Sequence, residues 1–250
     1  MSNKTSHSMR LVIALDMPTF EENLALAKYV RELDNTVRET IWLKIGLRFF
    51  IRDGKEGIES IKRASDANIF LDLKLYDIPN TMANAAYECA LLGVNMLTIH
   101  TSSGLVGMQA VMEKLSSLNT PRPLVMGVSA LTSFDKEGFC AVYEQSIDTF
   151  VKRASTLCDK AAIDGIVCSC LESKYIKSDY PHLLTLTPGI RPFGAIDDDQ
   201  KRVASIAQAY NALSDFIVVG RPIYAAKDPS IAIHSILDQI HQVSQGVKGV

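Results

Sequence analysis

The chain has 250 residues, 47% of them hydrophobic and 22% charged, with a formal net charge of −2. That balance is ordinary for a globular protein and gives no electrostatic reason to expect nucleic acid or an anionic membrane as partner. No apolar run reaches the length needed to span a bilayer, and the polar stretch Met1 to Arg10 does not read as a signal sequence, so a soluble cytoplasmic protein is expected.

Taken in order, apolar runs of strand length alternate with amphipathic stretches. Leu11 to Asp16 reads as a strand, followed by a helix from about Thr19 to Leu33 in which Glu22 is placed to complete a capping box. Ile41 to Ile45 is the next strand, with a helix around Lys55 to Ala64 after Gly54. Ile69 to Lys74 is the third strand, leading to a helix from about Asn80 to Leu92. Met96 to His100, Leu124 to Ser129, Gly165 to Ser169, Leu183 to Thr187 and Phe216 to Gly220 bring the strands to eight. Helical segments lie between them, and a last helix falls near Ile231 to Val243. Near-continuous apolar strands alternating with helices imply a parallel sheet covered by helices. No linker or change of composition splits the chain, so residues 1–9 read as a flexible tail, 10–243 as one domain and 244–250 as a second tail.

The five cysteines include no C-x-x-C pair, and Cys168 and Cys170 lie two apart at a strand end, which favours reduced thiols over disulfides. The five histidines never fall at metal-ligand spacing, so no structural zinc site is expected.

Eight β/α units in about 250 residues match the size of a single (β/α)8 TIM barrel, with a doubly wound open sheet as the rival. Closure is favoured by Asp16, Lys44, Asp72 and His100, which fall near successive strand ends at a constant interval of 28 residues. One repeated unit gathers such side chains around a single mouth, where barrel active sites lie. The third strand is unusual because Asp72 and Lys74 share one of its faces by the two-residue alternation of a strand. Buried charges must pair, touch water or face a charged ligand. A structural ion pair at a strand end and an active-site pair both satisfy that demand.

Beyond the seventh and eighth strands come Thr187-Pro188-Gly189-Ile190-Arg191-Pro192 and Gly220-Arg221-Pro222-Ile223. Barrels commonly bind phosphate with these two loops, so Arg191 and Arg221 are candidate phosphate ligands. The polar segment from Gly194 to Gln200, with three consecutive aspartates, reads as the tip of a lid or as solvated surface.

The Asp72-x-Lys74-x-x-Asp77-Ile78-Pro79-Asn80-Thr81 stretch, Trp42-Leu43-Lys44-Ile45-Gly46, Ala130-Leu131-Thr132-Ser133 and the two loops above, with Val218-Val219 before the second, closely resemble the orotidine 5′-phosphate decarboxylase family of the bacterial type. The resemblance runs in order from about residue 10 to residue 230. It implies decarboxylation of orotidine 5′-monophosphate to uridine 5′-monophosphate, the last step of de novo pyrimidine nucleotide synthesis, with neither metal nor organic cofactor. It further implies that Asp16 and Lys44 contact the ribose, and that Lys44, Asp72, Lys74 and Asp77 form a charge chain. Lys74 would be the proton donor. Asp77 and Thr81 would cross a homodimer interface into the partner's site. Ser129 and Thr132 would lie near the base and nucleotide, Pro188 against the nucleotide, and Gln200, Gly220, Arg221 and Arg191 at the phosphate.

Two other readings stay open. Metal-dependent decarboxylases and aldol-type synthases acting on sugar phosphates share the Asp-x-Lys-x-x-Asp stretch but carry an acidic metal ligand near the place of Lys44, where a cation would repel Mg²⁺. A non-catalytic phosphate-ligand-binding barrel is the third reading; binding alone has no need of a lysine flanked by two acids.

Overall fold

The computed structural model describes residues 7–194 and 202–246. The strands are β1 (Arg10–Ala14), β2 (Ile41–Gly46), β3 (Asn68–Leu75), β4 (Met96–His100), β5 (Leu124–Val128), β6 (Gly165–Val167), β7 (Leu184–Thr187) and β8 (Phe216–Val219). They pair in chain order, all parallel, and β8 closes on β1 through Arg10↔Phe216 and Val12↔Val218, so the sheet is a closed barrel rather than an open one.

The helices between and after them are α1 (Phe20–Glu32), α2 (Asn35–Arg38), α3 (Leu47–Ser65), α4 (Pro79–Leu91), α5 (Gly104–Ser116), α6 (Lys136–Tyr143), α7 (Ile147–Lys160), α8 (Cys170–Asp179), α9 (Ile206–Asn211), α10 (Arg221–Tyr224) and α11 (Pro229–Ser244). Helix α1 starts as expected: the Thr19 side chain accepts from the Glu22 N–H while Glu22 reaches back to the Thr19 N–H. Helix α3 consists of two helical segments meeting at Gly54, whose φ of 58° and ψ of −152° are not helical. The second is the helix expected from Lys55; the first, from Leu47, was not expected.

Two apolar layers follow from strand alternation. One face of each strand packs beneath the helices, with Ile13, Leu43, Leu71 and Leu97 buried against helix residues such as Phe49, Ile58, Met108 and Val111. The other face fills the barrel, where Trp42, Phe70, Met96, Met126 and Phe216 form a second buried cluster. Trp42 and Phe216 meet edge to face at 5.3 Å between centroids. The barrel is therefore plugged by large side chains below its C-terminal mouth, and the polar strand-end groups stand above an apolar floor.

Packing reaches past the boundary expected at residue 10. Met9 is buried, and the His7 ring bonds the Ser214 carbonyl at 2.8 Å. At the other end α11 extends to Ser244.

Candidate active site

A cavity of about 300 Å³ opens at the C-terminal mouth of the barrel. Its lining comes from the ends of β1, β2, β3, β5, β6, β7 and β8 and the loops that follow them, and includes Asp16, Lys44, Asp72, Lys74, Thr132, Pro188, Arg191, Gly220 and Arg221. Phe70, Leu186 and Val218 of the interior cluster supply apolar wall.

Four charged groups at this mouth alternate in sign. Lys44 Nζ lies 3.2 Å from Asp16 Oδ2 and 3.8 Å from Asp72 Oδ2, and Lys74 Nζ donates to Asp72 Oδ2 at 2.8 Å. Gly46 leaves room beside this pair: an added Cβ would stand 3.0 Å from Lys44 Nζ and 3.2 Å from Asp16 Oδ1. Burial pushes the Asp72 carboxyl towards neutrality. The ammonium groups of Lys44 and Lys74, with hydrogen bonds from Lys74 and Thr98, outweigh it and hold Asp72 below the usual carboxylate range. Asp72 is therefore ionised at neutral pH, between two cations.

Lys74 has a left-handed backbone, with φ 51°. Such a conformation costs a non-glycine residue roughly 1–3 kcal/mol and persists only where its surroundings enforce it. Simple alternation along β3 does not foresee it.

The loops after β7 and β8 enter the same cavity. Gly189 turns the first loop at φ 80°, and the Arg191 N–H donates to the Ala204 carbonyl at 2.8 Å while the Ala204 N–H donates to Gly189 at 3.1 Å. That clip anchors Arg191, whose side chain is buried against the loop and donates through Nη1 to the Ile190 carbonyl. Arg221 opens α10 directly after Gly220.

The remaining sequence candidates fall in different places. Ser129 is buried beside the mouth, but its hydroxyl donates to the Val167 carbonyl at 2.6 Å and it does not line the cavity. Asp77 and Thr81 are both exposed and lie outside it. Asp77 Oδ1 accepts from the Ile78 N–H at 2.7 Å, and among the described residues Asp77 makes no ion pair. Within one chain the charge chain is thus Asp16–Lys44–Asp72–Lys74: Asp16 extends it at the Lys44 end, and Asp77 of the same chain does not extend it beyond Lys74. His100 shares the interval of 28 residues but does not line the cavity. It packs on Tyr76 at 5.4 Å, and burial, helped by the nearby Lys74 charge, lowers its pKa and keeps it neutral at pH 7. Gln200 lies outside the described residues.

Two contributions were missed in the sequence. Thr98 of β4 contacts both Asp72 and Lys74, yet a threonine in an apolar strand reads as an ordinary strand former. Arg202 forms a buried ion pair with Glu172 at the start of α8 and donates to the Ala130 carbonyl at 2.9 Å, linking the return of the β7 loop to the loop after β5. Neither partner could have been paired from sequence, because they lie 30 residues apart.

Comparison with known proteins accords with this geometry. The sequence matches the family described as Orotidine 5'-phosphate decarboxylase / HUMPS family over residues 9–236. The chain belongs to this family. A relative from Campylobacter jejuni named orotidine 5'-phosphate decarboxylase is 52% identical over 233 residues, covering 93% of this chain and 100% of its own. One of the same name from Nitratiruptor is 50% identical over 234 residues, again 93% and 100% of the two chains. The crystal structure of orotidine 5'-phosphate decarboxylase from Lactobacillus acidophilus superposes with a TM-score of 0.76 at 28% identity, over 93% of this chain and 99% of that one. The family match begins at Met9, the first buried residue among those described.

Proposed function

We infer that this chain is an orotidine 5′-phosphate decarboxylase, a carboxy-lyase that converts orotidine 5′-monophosphate to uridine 5′-monophosphate. The observation that carries the reading is the Lys74 ammonium, held 2.8 Å from an ionised Asp72 in a cavity that Arg191 and Arg221 also line. Loss of carbon dioxide from the pyrimidine ring leaves negative charge on a carbon with no adjacent electron sink, so a fixed cation must stabilise the charge as it forms. Lys74 meets that need and can then give its proton to the same carbon. Asp72 keeps Lys74 oriented, and Lys44 adds a second cation near the same carboxylate oxygen.

The remaining roles are those the resemblance implies, and the cavity lining supports several of them. Asp16 and Lys44, paired at the rim, suit the ribose hydroxyls; Thr132 and Pro188 suit the nucleotide; Gly220, Arg221 and Arg191 suit the phosphate, for which the resemblance also names Gln200. Phosphate contacts remote from the ring provide binding free energy that can order the site for reaction. Asp77 and Thr81, turned outwards on their own chain, serve the site of a second copy in a homodimer. Supporting that assembly, the exposed side chains of Leu47, Ile51, Tyr76, Ile78 and Val106 all follow the C-terminal ends of β2, β3 and β4. Five free thiols, four of them buried, suit a reducing cytoplasm. Among the described residues no helix is long and apolar enough to cross a membrane.

The metal-dependent alternative is disfavoured by Lys44, whose ammonium sits between the two acids that would have to ligate the ion. The test is a spectrophotometric assay with orotidine 5′-monophosphate in excess chelator. Full activity is expected; activity that vanishes and returns on adding Mg²⁺ would transfer the chain to the metal-dependent readings, and no activity under either condition would leave the binding-only barrel.

A further inference from the structure

Strands β3 and β4 run in register through Phe70↔Met96 and Leu71↔Leu97, but the next matched pair is Leu75↔Ile99. Four steps along β3 therefore oppose two along β4, and the surplus is taken up where Lys74 adopts its left-handed φ of 51°. Opposite this irregularity stands Thr98, 1% exposed. Its hydroxyl oxygen accepts from the Lys74 backbone N–H at 2.9 Å and donates to Asp72 Oδ1 at 3.0 Å. The directions are fixed, because an N–H can only donate, an ionised carboxylate can only accept, and one hydroxyl can do both. Asp72 Oδ2 meanwhile receives the Lys74 ammonium.

We propose that Thr98 is a positioning residue for decarboxylation: its hydroxyl ties the left-handed turn at Lys74 to the Asp72 carboxylate, so that ammonium and counter-ion are aimed as one unit. The inference rests on the reading of Lys74 as the cation and proton source. Neither the bond to the Lys74 backbone nor the bond to Asp72 Oδ1 is duplicated by Lys44, which meets Asp72 on Oδ2. Valine in this place keeps the shape but leaves a buried N–H and a buried carboxylate oxygen each one partner short. The strained backbone then loses its restraint, and the ammonium moves relative to the reacting carbon. Nucleotide binding should be spared, because Thr98 bonds neither Asp16, Lys44 nor the loops after β7 and β8.

Steady-state kinetics of Thr98→Val and Thr98→Ser beside Lys74→Ala test the proposal. A displacement of about 1 Å at a reacting group lowers rate on the order of 10²-fold, so Thr98→Val should lose roughly that in kcat with KM within about threefold of wild type. Thr98→Ser, which restores the hydroxyl, should recover most of the loss. The proposal is overturned if Thr98→Val keeps kcat within about threefold, if KM rises as much as kcat falls, or if Ser is as impaired as Val in protein of wild-type Tm. Should Thr98→Val not fold, Thr98→Ala takes its place; if neither folds while Thr98→Ser does, the hydroxyl serves folding and the positioning role is withdrawn. An active Lys74→Ala enzyme would remove the underlying reading, whereas inactive Lys74→Ala with normal Thr98→Val removes only the role of Thr98.

Discussion

Replacing Asp72 by asparagine removes one charge while keeping its shape and its bond to Thr98, and so isolates what the carboxylate does between two ammonium groups. At an effective dielectric of about 20, its attraction to Lys74 at 2.8 Å is about 6 kcal/mol and to Lys44 at 3.8 Å about 4 kcal/mol. Much of this gross attraction is offset by the desolvation that the neutral amide avoids. Lys44 also keeps Asp16, and the Lys74 side chain is 33% exposed, so water screens part of the loss. Disruption of a buried ion cluster typically costs 3–5 kcal/mol, and the low end, about 3 kcal/mol, is expected here. Urea unfolding at pH 7 measures it. The direction of the Asp72 pKa adds a pH signature. A carboxyl held below its unfolded value of about 3.9 contributes stability that is fully present above that pH and is lost as pH falls through the lower folded value. The gap between wild type and Asp72→Asn should therefore be constant from pH 7 to about pH 5 and close below about pH 4. A variant as stable as wild type at pH 7, or more stable, would refute the claim that the two lysines outweigh burial.

The phosphate and interface assignments yield two more expectations. Arg221→Ala should weaken nucleotide binding and also lower the rate for bound substrate, and added phosphite dianion should partly restore turnover of a substrate that lacks the phosphate; a wild-type kcat in the variant would limit Arg221 to binding. Mixing Asp77→Ala chains with Lys74→Ala chains should regain activity through hybrid dimers with one intact site, and mixtures that stay inactive despite proven subunit exchange would show that the sites are not shared.

Much of the barrel is legible because its signals are local. Strand ends fall within two residues of the apolar runs, and the capping box at Thr19 and Glu22 appears in the helix it announces. Asp16, Lys44 and Asp72 repeat at the strand ends for the same reason, since each unit spends similar lengths of chain on strand, helix and turns. The repeat misleads at the fourth unit: Thr98, two residues before His100, supplies the polar contact at the mouth, because the irregularity between β3 and β4 shifts which residues face each other. That irregularity depends on tertiary pairing and leaves no mark in composition. Gly54 marks a real break, where the backbone leaves helical geometry, while Phe49 and Ile58 bury the segments on either side of it in one core. Asp77 flanks Lys74 in the linear motif, and which copy's Lys74 it serves cannot be read from that motif: on its own chain it is exposed beside the exposed Tyr76 and Ile78.

The central claim is that Lys74 both stabilises the developing carbanion and protonates it, and single-turnover rates of folded Lys74→Ala with saturating orotidine 5′-monophosphate test it most directly. A positioned acid contributes about 10²–10⁴-fold and electrostatic stabilisation of the developing charge adds a further factor on the order of 10², so a loss of at least about 10⁴-fold is predicted. Affinity for the nucleotide should change far less, since Asp16, Lys44, Arg191 and Arg221 still line the cavity. A folded Lys74→Ala enzyme that turns over substrate at a near-normal rate would contradict the account.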